Sequence, residues 1–295
     1  MKILRFSLLA GALALLFAVG CGPKKTVPGM TEGHGVVFVS DAVFDFARYL
    51  ANAFETTYNN AFVDLKPYPG IMSVDSLLNE RTDQILLDRG LMPAESAAFS
   101  QANLKLYTYK VAYHPVFLLV PKSNPVAVID SAALRGVLTG SIRNWKDLGG
   151  PDQRLHLYVP SPGEGAWVSL LNYYGKLDSI TAIPCSTAAT MLDTARSDPG
   201  ALLAYSKPID SLRTHKALDF HRQDEDISPN YKTILDTLSY PFRLDITYIT
   251  THQKEDVAAG YLTYIMGNIG QRRIGGELKY RPAAIPVRFV KQPAQ

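Results

Sequence analysis

Cysteine is nearly absent: Cys21 and Cys185 are the only two in 295 residues. Cys21 directly follows an apolar N-terminal run, so Cys185 stands alone in the body of the chain and an internal disulfide framework is excluded. Cys185 lies between Ile183-Pro184 and Ser186-Thr187 with no base beside it, the pattern of a buried thiol rather than a nucleophile. No Lys/Arg stripe interleaved with aromatics runs through the chain, which leaves nucleic-acid binding without a basis. His215 and His221 have no Cys/His pair at short spacing near them, so no metal is expected and both read as surface histidines. Ser-His-Asp, Cys-His and paired-metal constellations are missing as well. The chain is therefore expected to be no enzyme, to have no catalytic residues and to need no cofactor.

What is present is a packed body behind a leader. Hydrophobic content of 47% with 19% charged residues fits a globular chain of one large domain or two ordinary ones. Residues 1–20 place Lys2 and Arg5 ahead of an apolar run and read as a secretory signal peptide. Their removal lowers the formal charge from +3 to +1, so the basicity is partly the leader's. Ala18-Val19-Gly20-Cys21 is similar to a bacterial lipobox, which makes Cys21 the expected lipidation site; the alternative is an uncleaved N-terminal anchor. Either way the product is expected on a membrane, facing outward. The polar stretch with Pro and Gly after Cys21 reads as a tether.

The body alternates strand and helix. Val36 to Val39 reads as a first strand buried on both faces, and Asp41 as the cap of a helix whose packing face is Val43, Ala47, Leu50, Phe54 and Tyr58. Ala61 to Pro67 reads as a second strand, completing the unit of a parallel sheet. Further strands are expected over Gln84 to Leu87, Lys105 to Val111, Val116 to Val120, Leu155 to Val159, Ala201 to Tyr205 and Arg243 to Thr250. Helices are expected over Val74 to Glu80, Pro93 to about Gln101, Ser131 to Leu138, Ala166 to Tyr174, Ser186 to Asp193 and Asp256 to Gly267. The charged stretch Ser206 to Asn230 shows no clear element, and Arg281 to Val290 reads as an extended tail.

Three loops share one local design of apolar strand, short polar turn and helix: Ser40 to Ala42, Asp88 to Gly90, and Ser161 to Ala166. Ligands of parallel sheets sit beyond the carboxyl ends of strands, and a helix start offers unpaired N–H groups to an anion. Arg89 adds a planar fork able to grip two oxygens of an oxyanion. The spacing is equally met by plain rim loops with Arg89 paired to a surface carboxylate.

Asn124 to Gly150, NPVAVIDSAALRGVLTGSIRNWKDLGG, adds more specific wording. It resembles the opening of the second domain in the periplasmic phosphate-binding proteins, the solute receptors of phosphate ABC importers. These read Asn-Pro, a helix with Leu-Arg, a Gly, Asn-Trp and Leu-Gly-Gly. Val39-Ser40-Asp41-Ala42 falls where they carry Gly-Ser-Ser-Thr, DQILLDR (Asp83 to Arg89) where they carry Asp-Ile-Gly-Ala and a Ser or Asp before an Arg, and Glu164-Gly165-Ala166 where they carry Ser-Gly-Thr. Ser186-Thr187, Pro199-Gly200-Ala201, Tyr205 and Gly270-Gln271 match further segments.

The resemblance implies an α/β, two-domain periplasmic-binding-protein-like fold of type II, with mixed sheets flanked by helices and a ligand cleft between the domains. It implies a leader over 1–20, a tether over 21–30, domain one over 31–114 plus 241–295, and domain two over 115–240. It also implies a monomer that binds phosphate or another small oxyanion for an ABC permease, through Ser40, Asp41, Ala42, Asp88, Arg89, Ser161, Glu164, Gly165 and Ala166. A carboxylate such as Asp88 can accept from protonated phosphate and repel sulfate. Against this pattern, Val39 replaces a wrapping glycine, Ala42 and Ala166 remove hydroxyl donors, and Glu164 puts a carboxylate where a serine would face the ligand. Asp41 and Glu164 beside a dianion must be protonated or turned away. The altered site leaves room for a different small polar ligand, or for a non-transport surface module that senses or holds a partner.

Overall fold

The computed structural model describes residues 29–210, 212–234 and 240–284. The signal peptide, Cys21 and most of the tether lie outside the described residues. Strand β1 (Glu32–Val39) leads through a 3-10 turn at Asp41–Val43 into α1 (Phe44–Thr57), followed by β2 (Asn60–Pro67), α2 (Gly70–Leu78), β3 (Gln84–Leu87), α3 (Pro93–Gln101) and β4 (Tyr107–Pro115). Next come β5 (Phe117–Pro121), β6 (Val128–Asp130), α4 (Ser131–Thr139), β7 (His156–Pro160), α5 (Gly165–Tyr174), β8 (Ile183–Cys185), α6 (Ala188–Ala195) and β9 (Ala201–Tyr205). Short strands β10 (His215–Ala217), β11 (Asp219–Arg222) and β12 (Glu225–Ile227) precede β13 (Arg243–Thr250), α7 (Val257–Met266), α8 (Asn268–Gly276) and β14 (Arg281–Pro282).

The strands form two main mixed sheets. One runs β14-β4-β13-β3-β1-β2, the other β10-β5-β9-β7-β8, and β12-β11-β6 make a small third sheet. In the first, β1 lies parallel between β2 and β3, while β13 returns antiparallel between β3 and β4. In the second, β7 lies parallel between β8 and β9. Parallel β1 and β3 end side by side, which brings the loops after them together. The helices cover the sheets with apolar faces: α1 buries Phe46, Ala47, Leu50, Ala51 and Phe54. α7, all but continuous in its apolar residues, buries Val257, Ala258, Tyr261, Leu262, Tyr264 and Ile265. Among the described residues no helix is long and apolar enough to cross a membrane.

Several local expectations change. Asp41 does not cap α1: it opens the 3-10 turn, whose Val43 N–H donates to the Ser40 carbonyl at 3.1 Å, and α1 begins only at Phe44. Val36 is 46% exposed, because β1 is covered on one face where the reading had it buried on both. The stretch expected to lack elements holds β10 to β12, and His215 is buried rather than at the surface. Antiparallel pairing of His215 with Pro121 makes it part of the edge strand of the second sheet, and burial there pushes its imidazole below the ordinary value. His221 is exposed beside Asp226, as a surface histidine should be. Helix α2 starts at Gly70, four residues before the expected Val74, and its first turn leaves Ile71 and Met72 exposed while Gly70 and Ser73 are buried.

Candidate functional site

Ser40, Asp88 and the segment Gly163 to Gly165 meet where the two main sheets face each other. Ser40 is fully buried; its N–H donates to the Leu86 carbonyl at 2.9 Å, and its hydroxyl oxygen accepts the Asp88 N–H at 3.1 Å. The loops after β1 and β3 are thus locked to each other. Three polar links then cross to the loop before α5. Gly165 N–H donates to Asp88 Oδ2 at 2.7 Å, Gly70 N–H donates to Glu164 Oε1 at 2.8 Å, and Arg89 Nε donates to the Gly163 carbonyl.

The two donors from Gly70 and Gly165 are the first N–H groups of α2 and α5. Both point at a carboxylate oxygen, the geometry a helix start offers to an anion. Gly165 tolerates no side chain, since a Cβ there would run into the Asp88 backbone oxygen and sit 2.7 Å from its Oδ2. Gly163 adopts φ +89°, a conformation other residues rarely take.

The two carboxylates are only half satisfied. Asp88 Oδ1 and Glu164 Oε2 are buried without a hydrogen-bond partner. Burial pushes the Asp88 carboxyl up, against the opposing Gly165 bond and the Arg89 charge. Glu164 is pushed up to about 7, first by burial and then by the charge of Asp88, with the Gly70 bond and Arg89 acting the other way. A carboxyl whose pKa rises on folding favours the fold while it holds its proton, so its contribution is lost as pH rises from 4.5 to about 7. Glu164→Gln keeps the acceptor for Gly70 and removes the titration. We expect the wild type to lose on the order of 2 kcal/mol relative to Glu164→Gln between pH 5 and pH 8. Urea denaturation of both at the two pH values measures this, and parallel stabilities would refute it.

Of the two roles open to Arg89, oxyanion grip and ion pair, the structure shows the ion pair: its Nη1 and Nη2 donate to Glu95 Oε2 and Oε1 at 2.7 and 2.8 Å. The bidentate fork is taken up by a carboxylate of its own chain, and Nη1 also donates to the Gly90 carbonyl at 2.8 Å. Glu95 sits in the first turn of α3, where it also accepts the Met92 N–H at 2.7 Å. The partner is nearly buried rather than a surface carboxylate.

The remaining predicted residues lie around this junction. Asp41 and Ala42 are half-buried and, with Glu164 and Tyr205, line a cavity of about 20 Å³, room for a water but not for an oxyanion. Ser161 turns its hydroxyl to the Cys185 carbonyl at 3.3 Å, and Ala166 is fully buried. Sequence reasoning missed Gly70, Gly163 and Glu95. Pro69-Gly70 ahead of an apolar run is a helix-start signal that could have found the first. Among the described residues no three or more His, Cys, Asp or Glu side chains come together as a metal site. The Cys185 thiol is buried and pushed up by that burial.

Two mixed α/β sheets meeting through strand-end loops, with helix N-termini aimed at the junction, define a solute-binding protein fold. The chain belongs to the PBP superfamily domain family, which it matches over residues 31–268. It is similar in fold to a putative phosphate ABC transporter substrate-binding protein from Clostridium perfringens, with a TM-score of 0.74 at 17% identity over 85% of this chain and 100% of that one. An ABC-type phosphate transport receptor from Vibrio cholerae gives 0.66 at 19%, over 85% and 100%. PstS from Borrelia burgdorferi gives 0.54 at 15%, over 85% and 99%.

Proposed function

We propose that this chain is an extracytoplasmic solute-binding protein that takes phosphate or a related oxyanion for an ABC permease. The anion sits between two lobes, residues 31–114 with 241–295 and residues 115–240, and a lipid on Cys21 holds the protein at a membrane. No bond is made or broken. The observation that carries the reading is the convergence of the Gly70 and Gly165 N–H groups on carboxylate oxygens at the junction of three strand-end loops. A niche that holds carboxylate oxygens on two helix starts suits the oxygens of a small anion. The Clostridium perfringens neighbour, whose structure contains bound phosphate, supports the same choice.

Glu164 acts as an internal competitor. Its carboxyl occupies the Gly70 donor, so an oxyanion enters only when this side chain leaves and the loops part. Titration calorimetry with phosphate, sulfate and a phosphate ester tests the reading. Glu164→Ser exchanges a repelling carboxylate for a hydroxyl donor, and we expect it to tighten phosphate binding about tenfold over wild type. Absence of heat from every anion, in both wild type and Glu164→Ser, would end the oxyanion reading. A second reading, a surface module that senses or holds a partner, would then lead. It is favoured by the same Glu164 and Glu95 carboxylates, which satisfy Gly70 and Arg89 from within.

A further inference from the structure

A cavity of about 380 Å³ lies where α1 and α7 pack together over the first sheet. It falls within the usual size of small-molecule sites, roughly 300–1,000 Å³. Its walls are the end of α1, the second half of α7, the start of α8 and the chain entering β1. None of the niche residues lines it. Phe54, in its wall, stands about 15 Å along α1 from Phe44, where the Ser40 loop hands over to the helix.

Three aromatic rings shape it. Phe54 is fully buried and Tyr264 nearly so, and their rings meet edge-on with centroids 5.7 Å apart. Tyr58 tilts against Phe54 at 5.1 Å and, like Ile269, remains exposed. The backbone of Met30 rests directly on α7: a Cβ at Gly260 would lie 1.9 Å from the Met30 carbonyl oxygen. The lining is uncharged, since among the described residues that form it none is Asp, Glu, Lys, Arg or His. An ion entering here would lose hydration with no counter-charge to replace it. The Tyr264 hydroxyl, by contrast, is buried without a hydrogen-bond partner among the described residues. A buried phenol normally finds a partner, and one left unpaired regains hydrogen-bond free energy when an acceptor arrives. The surrounding rings favour a further ring, packed edge-on or offset.

We propose that this cavity binds a small neutral aromatic molecule with one carbonyl acceptor, an aryl ester or ketone, which accepts a hydrogen bond from the Tyr264 hydroxyl. The site is separate from the oxyanion niche and does not rest on that reading. Ligand-observed NMR titration of the purified chain with methyl benzoate, toluene and benzoate tests it, in wild type, Tyr264→Phe and Ile269→Asp. Tyr264→Phe deletes a hydroxyl that bonds to nothing in the fold, and Ile269 is 57% exposed, so both variants keep the packing. We expect methyl benzoate to bind wild type about fivefold more tightly than toluene, and Tyr264→Phe to abolish that difference. Benzoate should bind at least tenfold more weakly than its ester. Ile269→Asp should weaken the ester and toluene alike, and excess inorganic phosphate should displace neither. Failure of the ester to bind wild type would overturn the proposal. So would benzoate binding as tightly as the ester, a preference for the ester that survives Tyr264→Phe, or displacement of the ester by phosphate.

Discussion

Glu95→Ala is expected to destabilise the protein by about 3–5 kcal/mol, because it leaves a buried guanidinium without its counter-charge. The side chains of Arg89 and Glu95 are only 4% and 12% exposed, and two parallel hydrogen bonds join them. With the carboxylate gone, Arg89 keeps only the carbonyls of Gly90 and Gly163. The Met92 N–H loses its acceptor too, and α3 loses the acidic residue of its first turn. Replacing both partners by apolar residues, Arg89→Met with Glu95→Leu, should cost clearly less than Glu95→Ala alone, since no charge is then stranded. Chemical denaturation of the three proteins measures this, and a loss below about 1 kcal/mol for Glu95→Ala would mean that Arg89 finds solvent easily. The same variant frees the Arg89 fork beside the niche, so added phosphate should restore part of the lost stability if an oxyanion can reach it.

Trp145→Ala is expected to cost a similar amount, about 3–5 kcal/mol, through a cavity at the centre of the second sheet's packing. Trp145 is fully buried, and its indole N–H donates to the Gly200 carbonyl at 2.9 Å. That carbonyl also accepts the His156 N–H at 3.0 Å, and the Gly200 N–H donates to Asp198 Oδ1 at 2.9 Å. The ring therefore fastens the segment after α4 to the turn that starts β9. No side chain could stand at Gly200, where a Cβ would collide with the Arg154 carbonyl. Trp145→Phe keeps most of the packing and should cost less, about 1–2 kcal/mol, since the Gly200 carbonyl keeps one donor. Equal losses in the two variants would show that the hydrogen bond, rather than the ring volume, carries the effect.

Elements with strong local signals were legible from the chain alone. Gln84–Leu87, Ala201–Tyr205 and Arg243–Thr250 are strands within the bounds their apolar runs suggested. Pro93 opens α3, as a proline in a first helical turn does, and Gly140 closes α4 in the left-handed conformation that glycine adopts freely. The wording from Asn124 to Gly150 pointed to the fold family because its turns, caps and buried tryptophan are local requirements of one backbone path.

The site itself depended on distance in space. Ser40, Asp88, Glu164 and Gly165 were singled out, yet their roles come from contacts such as Gly70 to Glu164 across 94 residues. That Glu164 needs a proton or must turn away was readable from its charge; which donor it takes was not. Arg89 could be read as an anion ligand or as half of an ion pair, and only the packing of α3 against the strand end presented Glu95 to it. His215 looked like a surface residue because its own neighbours in sequence are charged, and it is the strand paired beside it that buries it. The sequence by itself determined the family and the elements with strong local signals, though not the cap of α1 or the strands β10 to β12, since what is legible follows from hydrophobic period and turn chemistry within a few residues. Only the tertiary structure decided which charges meet, because desolvation and pairing depend on side chains brought together from remote parts of the chain.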